Sequence, residues 1–152
     1  MPTIEELIKT KPYKDPHQRV FVNIIYTGSW LVAKFNQMLK PYGITEPQYN
    51  VLRILKGQHG KAVNLFEIQE RMVQRMSNVS RLIDKLLDKG YVSRCERKEN
   101  RRMVDIVITN AGLKLIEDLE KPIEETFRKI HSNLTDEEAG LMAAWLDRLR
   151  DE

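Results

Sequence analysis

Two clusters of hydrogen-bonding and cationic side chains occupy the middle of the chain. The first runs Arg75-Met76-Ser77-Asn78-Val79-Ser80-Arg81, mixing short hydroxyls and a carboxamide with guanidinium groups. The second sets Arg94, Arg97, Lys98, Arg101 and Arg102 against only Glu96 and Glu99. These groups carry no covalent chemistry in such an order, but they are the donors and acceptors that meet base edges and phosphates. Asn78 suits an adenine edge and Arg81 a guanine or a phosphate, while Ser77 and Ser80 offer short hydroxyl donors. Lys85, one turn further on, reaches only the backbone. The chemistry expected is recognition of double-stranded DNA.

To act together the two clusters need a helix and a hairpin set side by side. Apolar residues Val79, Leu82, Ile83, Leu86 and Leu87 follow helical spacing and predict a helix over 75–89 that ends at Gly90. The segments 91–97 and 103–108 alternate as strands, with the cationic cluster at their turn. Upstream, Asn64 to Met72 reads as a short helix burying Leu65, Ile68 and Met72. Before it, Thr45 with Gln48 three residues on opens a helix whose inward face is Tyr49, Val51, Leu52 and Leu55. A polar helix face and a basic turn each occur on solvated surfaces. The order helix, short helix, polar-fronted helix, cationic hairpin is more specific, because it builds a winged helix-turn-helix. The fold class expected is mainly α with a small β-hairpin, the winged helix-turn-helix spanning 44–109.

Helical regions flank this unit. Residues 1–16, with three prolines, are expected to form an N-terminal arm. From His17 a long helix carries an apolar stripe as far as Leu39, ending before Pro41. Gly28 inside it implies close packing or a ligand, since glycine costs about 1 kcal/mol there relative to alanine. Thr109 caps a helix through Ile130 in which Pro122 predicts a kink or break. Thr135 and Glu138 then open a final helix bearing Leu141, Met142, Trp145, Leu146 and Leu149. Residues 17–43 and 110–152 thus carry more apolar surface than a small winged helix hides. A second copy of the chain is the expected cover, through Phe21, Ile24, Ile130, Leu141, Trp145 and Leu149; an intramolecular bundle is the other way to hide it.

Bulk properties narrow the classes. The net charge of +3 is uneven: residues 61–109 hold 11 Lys/Arg against 7 Asp/Glu, whereas 110–152 hold 6 against 11. Only the first of these stretches suits a phosphate backbone. No apolar run nears the ~20 residues of a membrane span, and the N-terminus lacks a signal-peptide pattern. Cys95, the one cysteine, points to the cytoplasm and reads as a plain strand residue, although Arg94 and Arg97 beside it would favour its thiolate. His17, His59 and His131 have no metal-ligand spacing, so no metal and no cofactor are expected. The chain contains no GxSxG, P-loop, GxGxxG or HExxH pattern, and no enzyme is expected. The alternative kept open is a winged-helix module that binds protein rather than DNA.

The segments SNVSRLIDKLLDKGYVSR, NRRMVDIVITNAG and TEPQYNVLRIL resemble the multiple-antibiotic-resistance regulator (MarR) family of bacterial winged-helix repressors. The resemblance runs from about His17 to Leu149. Where the family's wing usually has Asp-x-Arg, this chain has Asn100-Arg101-Arg102, which keeps a hydrogen-bonding group but not the ion pair. The resemblance implies a homodimer, with Arg102 at the wing contacting the minor groove or a phosphate. It also implies release by a small aromatic or anionic effector, for which Tyr26, Trp30 and Tyr49 would line a cleft and Arg53 would meet the anion.

Overall fold

The computed structural model describes residues 1–74, 78–97 and 100–151, with side chains outside 96–104. Seven α-helices are found among these residues: α1 Ile4–Leu7, α2 Pro16–Leu39, α3 Glu46–Lys56, α4 Leu65–Arg71, α5 Val79–Asp88, α6 Asn110–His131 and α7 Asp136–Leu149. Three strands, β1 Val63–Asn64, β2 Val92–Arg97 and β3 Asn100–Ile108, form one antiparallel sheet in the order β1-β3-β2. β1 was not legible in the sequence: two residues show no alternation, and Val63 and Asn64 become a strand only by pairing with Ile106 and Asp105.

Local chemistry explains most boundaries. Gln48 is buried and accepts from the Thr45 N–H at 3.0 Å, closing the start of α3. Asn64 and Glu67 exchange backbone and side-chain bonds at the start of α4, and Thr135 and Glu138 do the same for α7. At the end of α5, Gly90 takes a left-handed φ of 71°. The Gly90 and Tyr91 N–H groups then return to the carbonyls of Leu87 and Leu86. Thr109 performs three tasks at once: its N–H donates to the Tyr91 carbonyl, its hydroxyl donates to the Gly90 carbonyl, and the same oxygen accepts from Gly112 N–H. These bonds draw α6 so close to the start of β2 that a Cβ on Gly112 would stand 2.3 Å from the Tyr91 oxygen.

Within residues 1–16, Thr3 and Glu6 cap α1, Glu5 pairs with Arg19 at 2.7 Å, and Ile4 is 4% exposed. Two expectations are corrected. α6 runs unbroken through Pro122, which removes only one N–H from the ladder while Thr126 Oγ1 donates to the Pro122 carbonyl. A Cβ on Gly28 would meet nothing within 4 Å, so close packing inside the protomer does not account for that glycine.

Apart from Ile4, every buried apolar side chain described lies between Leu39 and Leu119. The core joins α3, α4, α5 and the sheet to the first half of α6. Phe35 of α2 extends it by meeting Tyr49 edge-on at 5.4 Å and stacking on Phe127 at 5.7 Å. No helix among the described residues is long and apolar enough to cross a membrane.

Candidate nucleic-acid interface

α5 turns Val79, Ile83 and Leu86 into the core and leaves Ser80, Arg81 and Lys85 exposed, a division set by the 3, 4 spacing of its apolar residues. The helix begins at Val79 rather than at Arg75. Asn78 stands at its N-cap with φ −130° and ψ 41°, exposed and making no side-chain cap bond, so its carboxamide remains available at the helix tip. The first residues of a recognition helix reach base edges, and this is where the amide, hydroxyl and guanidinium groups gather. Arg75, Ser77 and Lys98 lie outside the described residues, as do the side chains of Arg97, Arg101 and Arg102.

The approach to α5 is tied back to α3. Asn50 Oδ1 accepts from the Val73 N–H at 3.0 Å, and Glu46 accepts from Gln74 Nε2 at 3.2 Å. Asn36 of α2 in turn accepts from the Glu46 N–H at 2.8 Å. At the other end, Lys89 Nζ donates to the Gly43 carbonyl at 2.7 Å. The hairpin pairs Val92 with Ile108 and continues to Arg97 opposite Asn100, with an irregularity between Glu96 and Arg97. Lys98 and Glu99, between the two strands in sequence, lie outside the described residues. Arg94 is paired: its guanidinium meets Asp84 of α5 at 2.7 Å, tying strand to helix. Both partners are more than half exposed, so this pair contributes at most about 1 kcal/mol. Its role is geometric, since it links the hairpin to α5. Charge counting alone could not separate Arg94 from its neighbours. The signal was Asp84, ten residues away on the polar side of α5.

Residues 44–104 match the sequence model of the MarR family. Over these residues the chain is similar to the winged helix of that family. Over 140 residues it is 26% identical to the transcriptional regulator PapX of Escherichia coli, covering 89% of this chain and 85% of that protein. A putative MarR-like regulator from Bacillus cereus superposes with a TM-score of 0.80 at 19% identity, covering 88% and 95% of the two chains. The MepR–DNA complex of Staphylococcus aureus gives a TM-score of 0.72 at 26% identity, covering 90% and 97%.

Around this winged-helix unit the other expected groups separate. Tyr49 and Arg53 line a cleft of about 640 Å³ between α3 and α6, together with Glu120, Glu124, Arg128 and His131. Tyr26 and Trp30 do not line it. Trp30 is exposed on α2 with Lys34 Nζ 6.0 Å from its ring centre. Of the residues expected at a dimer face, Phe21, Ile24, Leu141, Trp145 and Leu149 are exposed in the protomer. Ile24, Trp145 and Leu149 share an apolar groove of about 480 Å³ between α2 and α7. Ile130 instead sits half-buried in a separate cleft with Phe35 and Tyr49.

Proposed function

We propose that the protein is a sequence-specific DNA-binding transcriptional regulator that acts as a homodimer on a pseudo-palindromic site. The observation that carries this reading is the exposed amide, hydroxyl and cationic face of α5, held beside the β2–β3 hairpin by Arg94 and Asp84. α5 enters the major groove with Asn78, Ser80 and Arg81 leading and with Arg75 and Ser77 just ahead of them; Lys85 meets backbone. Arg97, Lys98, Arg101 and Arg102 extend along the adjacent backbone or minor groove. Two-fold pairing through Phe21, Ile24, Ile130, Leu141, Trp145 and Leu149 puts two such helices roughly 34 Å apart, one helical turn of DNA. Regulation in the cytoplasm is by occupancy of the site, with no covalent step. Tyr49 and Arg53 offer one place for an anionic effector, at the junction of α3 and α6.

The test is selection of bound DNA fragments followed by anisotropy titration. A protein neutralising 6–10 phosphates loses about 10³–10⁵ in affinity between 50 and 200 mM salt. Arg102→Ala should weaken all sequences alike, whereas Asn78→Ala should also relax preference at particular bases, by about 1–3 kcal/mol. Affinity unchanged in both variants would remove the site assignment. Capture of a protein partner by a chain that retains no DNA at low salt would favour the interaction-module reading instead.

A further inference from the structure

The groove between α2 and α7 is apolar except for two side chains. Val20, Ile24, Met142, Trp145 and Leu149 wall it, and the ionisable groups among its described lining are His17 and Arg148. No carboxylate is among that lining to balance them. From Pro16 to Thr45 the chain contains no Asp or Glu, so α2 supplies none. On α7, Asp147 lies about 200° round the helix from Trp145 and pairs with Arg150. Glu138 is tied into the Thr135 cap, about 15 Å along the helix from Arg148. Asp151 follows the end of α7, outside the lining. Ahead of α2, Lys14 is exposed, and Asp15 accepts the His17 backbone N–H at 2.9 Å as the helix cap. Arg19 is held by Glu5.

We propose that His17 makes the pairing of two copies dependent on pH: with a neutral imidazole the groove closes under a second copy, and protonation opposes that closure. This switch rests on the homodimer reading, whose face includes Ile24, Trp145 and Leu149 of the groove. In the free protomer His17 is exposed, so water solvates its charge. Covering the groove removes that water, and a second cation then shares an apolar space with Arg148. The first turn of α2 adds to the opposition, because a helix N-terminus disfavours positive charge. Association therefore releases protons. The dimer is complete above the imidazole range and weakens as pH falls through it. Because a pseudo-palindromic site needs both copies of α5, acid also loosens the protein from DNA.

The test is sedimentation of the full-length protein at several concentrations, at about pH 8 and about pH 5.5 and at constant ionic strength. The wild-type dimer dissociation constant should be at least about tenfold larger at the lower pH, a difference of about 1.4 kcal/mol. His17→Gln keeps a polar side chain that takes no proton. It should pair at both pH values as tightly as wild type does at the higher one. His17→Lys carries a fixed charge and should pair weakly at both. Arg148→Gln, with one cation gone, should shrink the pH effect. All three should keep the wild-type circular dichroism, because both side chains are exposed in the protomer. Equal wild-type dissociation constants at the two pH values, or a pH dependence retained in His17→Gln, overturns the switch and leaves the homodimer standing. A wild type that sediments as one protomer at about pH 8 overturns the homodimer reading and the switch with it.

Discussion

Between Leu39 and Leu119, side chains from five helices and three strands close over one another, and α5 is fixed on that block. In α7 no residue is buried, and Phe21, Trp145 and Leu149 are 63%, 57% and 64% exposed although their types belong in an interior. The first region satisfies its apolar groups within one chain. The second holds them ready for another surface. Uncovered apolar patches mark interfaces, so the contrast separates a winged-helix block that buries its own apolar groups from helices that leave theirs open. The join between them is narrow: Phe35, Tyr49 and Phe127 in ring contact, and Asn36 on the first N–H of α3.

Substitutions sharpen the contrast, beginning with the largest effect. Leu52→Ala, at a fully buried position, should lower unfolding stability by about 2–5 kcal/mol, read from denaturant titration. Trp145→Ala should leave the winged-helix core folded and weaken self-association by about 30-fold, roughly 2 kcal/mol, read by sedimentation at several concentrations. If sedimentation shows the same mass for wild type and variant at every concentration, a second copy is not what covers α7.

The same capping chemistry placed in both regions gives a finer measure. Asn64→Ala at the start of α4 should cost about 1 kcal/mol in global unfolding. Thr135→Ala removes an equivalent bond from α7, but in dilute protein it should chiefly fray that helix, visible in amide exchange before any global change. Equal global losses would mean that α7 unfolds together with the core.

Gly28→Ala probes the open face directly. With nothing near the added Cβ, the protomer should gain up to about 1 kcal/mol from helix propensity. Weaker self-association in that variant would place a partner's backbone against the glycine.

The smallest effect is pH-dependent. Hydrogen bonds from Thr135 hold the Glu138 carboxyl below its ordinary range, so the cap is complete above the unfolded pKa and is lost as pH falls through the folded one. Arg19 does the same to Glu5 through its guanidinium. Circular dichroism below about pH 4.5 should therefore show α7 losing helix first, and Glu138→Gln should remove that acid sensitivity.

Much of the reading unit was legible from residue order. The spacing of Val79, Ile83 and Leu86 gave the buried side of α5, and Thr45 with Gln48 and Thr135 with Glu138 marked helix starts because capping is a three-residue affair. Gly90 and Thr109 marked ends and starts for the same local reason. β1 was not legible, nor was the burial of Ile4, since each depends on partners far away in sequence. The grouping of Tyr26 and Trp30 with Tyr49 and Arg53 did not form in the protomer. Aromatic type says nothing about which side of α2 meets α3. Nor did sequence single out Glu46 and Asn50, whose bonding partners Gln74 and Val73 lie 28 and 23 positions away.

The amino-acid order alone determined the succession of helices and hairpin, and placed hydroxyl, amide and cationic groups at the tip of α5 and at the turn. Those features depend on periodicity and capping, interactions spanning three or four residues. Tertiary structure decided that Arg94 spends its charge on Asp84, that Gly112 must lie against Tyr91, and that His17 and Arg148 share one groove. Each of these depends on which distant backbones approach closely, and that is settled by packing many weak contacts at once.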